Sequence, residues 1–189
     1  VFRALGGDPA KRVEPAYARD YITRRSFLQK VSGSNQQMSL AWQDEQSLRL
    51  PESIAVLPEK CLNRDLYIWL AVLASQHDGS FRHWAVDNQN LVKSIIESFP
   101  LLEKRYQRMA DAVLALREDV DSLPKEEREM ELAIRQAIKK PGTVDNFPAV
   151  NFAPKPVALW LYPSAKVDSV VATEHDLDEE EEGKSVAKK

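Results

Sequence analysis

Between residues 38 and 50 the hydrophobic positions recur at every second residue: Met38, Leu40 and Trp42 alternate with Ser39 and Ala41, and Leu48 and Leu50 alternate with Ser47 and Arg49. A period of two places one set of side chains on a single face of an extended strand. The polar run Gln43, Asp44, Glu45, Gln46 between the two segments predicts the turn of an antiparallel hairpin with one buried face. Pro51 and Pro58 then bracket Ile54, Val56 and Leu57 in an extended crossing segment. The period lengthens after that. Asn63 and Asp65 suit the N-cap and first turn of a helix over 63–76. Leu66, Tyr67, Trp69, Leu70, Val72 and Leu73 cover most of that helix's circumference, so it is expected to be central and buried on nearly all sides, with Gln76, His77, Asp78 and Gly79 closing it.

Leu91, Val92, Ile95, Ile96 and Phe99 mark a second amphipathic helix that starts near Trp84 and stops at Pro100. A third carries Leu102, Tyr106, Met109, Ala110 and Val113 as its stripe, with Glu103, Lys104, Arg105, Arg108 and Asp111 facing water. A fourth begins with Pro124 at its first position, turns Met130, Ala133, Ile134, Ala137 and Ile138 inward, and is stopped by Pro141 and Gly142. Tyr21, Ile22, Leu28 and Val31 predict one further helix ahead of these, ending near Gly33. Residues 141–156, rich in Pro and Asn, read as an irregular strap over the bundle, and Val157 to Leu161 as a short strand-like run. The fold class is therefore mainly α: a helical bundle with a small β-hairpin and an irregular C-terminal strap, over residues 1–165. Residues 166–189 read as an acidic, disordered linker or tail.

Charge adds a division by position. Asp176 to Glu182 hold six acidic residues and no basic one; setting these aside with Lys184, Lys188 and Lys189 leaves 23 acidic and 23 basic residues in the body. A neutral body argues against nucleic acid as partner, because that binding rests on clustered Lys and Arg neutralising phosphates. Within it the first thirty residues carry a basic excess, centred on Arg19, Arg24 and Arg25. That excess reads either as a solvated helix face or as a contact for an acidic partner. No apolar run approaches the length of a membrane-spanning helix, so no membrane insertion is expected. A single cysteine, Cys61, excludes an internal disulfide, and a cytoplasmic protein is expected. The opening Val1, in mid-pattern, suggests numbering that begins inside a longer protein.

Candidate chemistry is sparse. His77 and His83 flank a turn containing Asp78, but without a second liganding pair they read as solvent-facing, and Cys61 in its apolar surroundings reads as a buried structural thiol. No G-x-x-x-x-G-K-[ST], G-x-G-x-x-G, G-x-S-x-G or H-E-x-x-H occurs, which leaves no catalytic residue, no cofactor-binding residue and no metal ligand to nominate. Trp42, Trp69 and Trp84 fall on faces expected to be buried. Trp160 and Tyr162 read equally as a strand docked on the bundle or as an exposed partner-binding edge. With Arg19, Arg24 and Arg25 they complete the candidate partner-binding set.

Several strings taken together resemble the NorD/CbbO family in its amino-terminal region: residues 48–74 with their Leu-Pro steps followed by Asn63 and Leu66-Tyr-x-Trp69-Leu-Ala71; Asp87-Asn-Gln89; Phe99-Pro-Leu-Leu-Glu-Lys-Arg-Tyr106; Ala133-Ile-Arg-Gln-Ala137 with Pro141-Gly142; Pro156-Val-Ala-Leu-Trp-Leu-Tyr-Pro163; and Phe2-Arg-Ala-Leu-Gly-Gly-Asp8. The resemblance covers roughly Val1 to Pro163. It implies a non-catalytic adaptor that partners a hexameric MoxR-type AAA+ ATPase. In the CbbO branch the adaptor and its ATPase CbbQ reactivate inhibited rubisco; in the NorD branch they support nitric oxide reductase. The rubisco branch is taken as the leading expectation, NorD as its alternative, and a helical nucleic-acid-binding module as the competitor from another class. Full-length members carry a von Willebrand factor A domain that holds magnesium through D-x-S-x-S. That motif is absent here, so magnesium is expected only in such a further domain, to which the acidic stretch after Glu174 would lead.

Because apolar periodicity ends near Lys166, amide hydrogens beyond it should exchange at once in a hydrogen-exchange experiment; protection equal to that of helix 63–76 would mean that the tail docks.

Overall fold

A computed structural model of the protein describes residues 1–16, 40–150, 152 and 154–163. The expected helix ending near Gly33, the strand residues Met38 and Ser39, and the acidic tail lie outside the described residues. Among those described, four α-helices follow one another: α1 (Lys60–Ser75), α2 (Trp84–Ser98), α3 (Glu103–Ala115) and α4 (Lys125–Lys139). Four short strands accompany them: β1 (Arg12–Ala16), β2 (Trp42–Gln43), β3 (Ser47–Pro51) and β4 (Tyr162–Pro163). The fold is mainly α with a small β part, as the periodicity implies.

α1 is the centre of the core. Leu66, Trp69, Leu70 and Leu73 are at most 2% exposed, and Ala71, Val72 and Ala74 are buried beside them. The Trp69 ring lies 5.0 Å from that of Tyr106 on α3, which packs between α1 and α4. One expectation about α1 fails at its rim: Tyr67 is 40% exposed, so the helix is not buried on nearly all sides. A second fails at its start. The helix begins at Lys60 with Glu59 extended before it, so Asn63 sits inside the first turn. Its amide instead ties down the incoming chain, accepting from the Val56 and Leu57 N–H groups at 3.0 and 2.8 Å and donating to the Leu57 carbonyl at 2.7 Å. Pro124 is likewise one position outside α4, at the cap.

The hairpin exists, but it is the middle of a larger object. β2 and β3 pair antiparallel with Trp42 opposite Arg49 and Gln43 opposite Leu48, and β1 and β4 extend the sheet by parallel pairing to the order β1-β3-β2-β4. Neither added strand shows an alternating apolar pattern, since each is an edge strand; each also carries a proline, Pro15 or Pro163, a residue that edges tolerate. The register overturns two expectations. Trp42 lies across from Arg49, on the face opposite Leu48 and Leu50, and is only half-buried. Gln43, assigned to the turn, is a strand residue 1% exposed. Its Nε2 donates to the Ala74 and His77 carbonyls at 3.1 and 2.6 Å, which satisfies acceptors that the end of a helix leaves open.

The turn itself is narrower, with Asp44 Oδ1 accepting from the Gln46 and Ser47 N–H groups at 2.9 and 2.6 Å. It abuts the loop that closes α1. There Gly79 has φ +101°, and a Cβ would strike the Asp44 carbonyl, so conformation and space both require glycine.

Truncating Trp69 to Ala should cost about 3–5 kcal/mol in denaturant unfolding, as expected for a large ring removed from a closed core. A loss under about 1 kcal/mol would place the core elsewhere.

Candidate partner-binding site

The C-terminal strap is the segment on which the candidate residues Trp160 and Tyr162 stand. Val157, Leu159, Trp160 and Leu161 are fully buried, yet they form no strand. Their backbone is served by side chains: Trp69 Nε1 donates to the Leu159 carbonyl at 3.1 Å, and Trp84 Nε1 to the Leu161 carbonyl at 2.9 Å. Asn88 bonds Leu161 reciprocally, donating to its carbonyl at 2.9 Å and accepting from its N–H at 2.8 Å, as a neighbouring strand would. The Val157 N–H donates to the Tyr162 hydroxyl at 2.8 Å, and the Tyr162 N–H to the Ala41 carbonyl at 2.9 Å, where β4 begins.

A buried ion pair anchors the other end of the strap. Arg117, just beyond α3, and Glu131 on α4 form a two-pronged contact, Nε to Oε1 and Nη2 to Oε2, both 2.6 Å, with side chains only 3% and 7% exposed. Arg135 adds a third contact to Glu131 at 2.7 Å. Arg117 also donates to the Pro156 and Lys155 carbonyls at 3.1 and 3.4 Å. Burial by itself would raise the Glu131 carboxyl, but hydrogen bonds and charge from Arg117 and Arg135 outweigh it and hold the group below the usual carboxylate range. Neither Arg117 nor Glu131 stands out in the sequence; one lies past the end of a helix and the other between Met130 and Ile134 among charged neighbours.

The candidate residues divide accordingly. Arg19, Arg24 and Arg25 lie outside the described residues. Trp160 is inside the core, its ring 5.1 Å edge-on from Trp84, so its place is that of a docked segment and not of an exposed edge. Tyr162 is half-buried, 4.9 Å from Trp84 and 5.7 Å from Trp42, and these three rings make an aromatic strip along β4. Trp84 is therefore half-buried where full burial was expected.

Three polar residues sit differently from their sequence expectations. Cys61 is exposed, because the buried face of α1 begins at Leu62; its thiol donates to Glu59 Oε2 at 3.1 Å, and this bond to a carboxylate pushes the thiol's pKa up. His77 is largely buried against Phe81, with centroids 4.3 Å apart, and its Nδ1 accepts from the Gly79 N–H at 2.9 Å. Burial pulls its pKa down, in keeping with an unprotonated Nδ1. Lys11, counted in the basic excess, is 3% exposed and donates to the Asp78 carbonyl at 2.8 Å; burial lowers its pKa against the opposing pull of Asp44, Asp8, Asp78 and Glu45. Among the described residues no group of three or more His, Cys, Asp or Glu could hold a metal ion.

An open cleft lies on the helical surface between α1 and α3. It measures about 420 Å³ and is lined by Lys60, Cys61, Arg64, Asp65 and Ile68 of α1 and Arg105 of α3. Asp65 in its wall meets Arg108 at 3.3 Å and Arg105 at 3.9 Å.

The described residues thus make a helical domain whose most strongly held polar groups serve the fold and whose surface is left for contacts. No helix among them is long and apolar enough to cross a membrane. The chain is 49% identical over 164 residues to a protein named NorD from Stutzerimonas stutzeri, a match that covers 87% of this chain. Over this region the chain resembles an amino-terminal part of proteins named NorD. It is also 46% identical over 166 residues to an uncharacterised Pseudomonas aeruginosa protein, covering 88% of this chain, and 35% identical over 127 residues to NorD of Brucella abortus, covering 61%. The chain spans about a quarter of these relatives: 27%, 27% and 20% of their lengths. No protein-family model matches it, and neither does any solved structure.

Glu131→Gln should lower stability at neutral pH by about 3–5 kcal/mol, since Arg117 is left buried without its counter-charge. The sign with pH follows from the lowered carboxyl: its contribution is complete above the unfolded-state pKa and is lost as pH falls through the folded-state value. Urea midpoints of the two proteins should therefore converge on acidification.

Proposed function

We propose that this chain is the non-catalytic docking region of a NorD-type adaptor, which works with a hexameric MoxR-type AAA+ ATPase in the activation or maturation of nitric oxide reductase. The observation that carries the reading is the 49% identity to a protein named NorD across 87% of the chain. It also moves the choice of branch. The rubisco expectation rested on strings common to both branches, whereas the matching relatives that bear a functional name are called NorD.

The physical reading agrees with an adaptor role. The strongest polar constellation among the described residues, Arg117 with Glu131 and Arg135, is spent on the fold: Glu131 is shared by two guanidinium groups, and Arg117 also holds the strap. On this reading the chain, whose sequence carries no G-x-x-x-x-G-K-[ST] motif, supplies contacts while the partner ring hydrolyses ATP.

Purified chain and cognate ATPase should co-elute on size exclusion, and the chain alone should not hydrolyse ATP. A ring that binds only a separated adhesion domain would overturn the assignment of docking to this region. Reversing Arg24 and Arg25 to Glu tests the basic arm: if it steers an acidic contact, the association rate should drop and lose its steep salt dependence, whereas a solvated face would leave both unchanged.

A further inference from the structure

The cleft between α1 and α3 gathers cationic side chains from two of the described helices. Lys60, Arg64 and Ile68 follow at four-residue spacing along α1, so their side chains share one face, and Tyr67 stands three residues from Arg64 on its flank. Arg105 lines the cleft from α3, and Arg108 lies beside it on the same helix, paired with Asp65; their side chains are 55% and 63% exposed. Against these four cations stand Asp65, only 16% exposed and shared by both arginines, and Glu59, which accepts the Cys61 thiol hydrogen. The patch is thus net positive on a body whose formal charge is zero. The first turns of α4 carry the opposite balance, with Lys125 and Arg128 against Glu126, Glu127 and Glu129.

We infer that this cleft is a docking surface for an acidic segment of a partner protein, which lays carboxylates against Lys60, Arg64 and Arg105 and an apolar side chain over Ile68. The chemistry supports a protein ligand. Arginine and tyrosine are the side chains through which interfaces are most often anchored, and a volume of about 420 Å³ suits a short stretch of chain with one apolar residue. Guanidinium forks select planar carboxylates. Four cations on a neutral body are too few for the multiple phosphate contacts that hold a nucleic acid. The inference rests on the reading of this chain as a docking module and identifies a surface that could carry it; it does not depend on which protein brings the acidic segment.

The test uses the full chain and a fluorescently labelled peptide copying residues 174–183, an acidic probe containing one leucine. Anisotropy should report binding that weakens with salt and falls roughly tenfold or more in Lys60→Glu/Arg64→Glu, with Arg105→Gln giving a smaller loss. The control Lys125→Glu/Lys139→Glu, on the far helix, should stay within about twofold. Equal loss in control and cleft variants would overturn the inference, as would tighter binding of a single-stranded oligonucleotide of equal charge. Neutralising the chain's own carboxylates at 176 and 178–182 should leave probe affinity unchanged; a tenfold gain would show that the chain's own segment fills the cleft, and the partner assignment would fall. Co-elution with the ATPase, measured on the same variants, separates the two proposals. If wild type fails to co-elute while the probe still discriminates, the ATPase reading fails alone. Should the ring bind wild type and Lys60→Glu/Arg64→Glu equally while the probe is indifferent to the cleft, only the present inference fails.

Discussion

Four fully buried residues of the strap, Val157, Leu159, Trp160 and Leu161, impose a constraint that organises much of this structure: a buried backbone must have its hydrogen bonds met, and no strand lies alongside to meet them. One bond is made within the strap, from the Trp160 N–H to the Val157 carbonyl at 3.2 Å, and side chains supply others. Trp69 comes from α1, Trp84 and Asn88 from α2, and Arg117 from the end of α3, so docking the strap fixes three helices relative to one another. Leaving any of these backbone groups unpaired would cost on the order of 1–3 kcal/mol, comparable to a sizeable part of a domain's net stability. The Arg117–Glu131 pair extends the same logic to α4, since Arg117 bonds both the strap and the helix.

Seen this way, the strings that carry the family resemblance are mostly instructions for closing loops. In Asp87-Asn-Gln89 each side chain serves a different segment. Asp87 accepts from the Arg82 and His83 N–H groups, Asn88 pairs with Leu161, and Gln89 accepts from the Gly142 and Val144 N–H groups while donating to the Val144 carbonyl. Asn63 holds Val56 and Leu57, and Tyr106 donates from the core to the Ile138 carbonyl at 2.7 Å.

Much of the helical architecture was legible because it repeats locally. The stripe Tyr106, Met109, Ala110 and Val113 and the set Met130, Ile134, Ala137 and Ile138 are buried as their spacing implies, and Pro100 ends α2 where its missing N–H demands. The sheet was half legible. A hairpin announces itself through alternation and a polar turn, but β1 and β4 pair with residues about 35 and 120 positions away, and nothing in Arg12–Ala16 or Tyr162–Pro163 encodes that distance.

By itself, then, the sequence determined the helices, their inward faces, the hairpin and the kinship with NorD proteins, because each depends on neighbours within a few turns or on an ordered set of short strings. Tertiary structure alone decided which polar residues are buried. Gln43 looked like a turn residue, Lys11 like part of a basic arm and Cys61 like a core thiol; their places depend on which carbonyl, carboxylate or helix face the fold brings within reach. It also decided that Trp160 packs inside while Lys60, Arg64 and Arg105, unremarkable as a string, converge on one cleft. Burial of a polar group is a property of its partners, and the partners come from elsewhere in the chain.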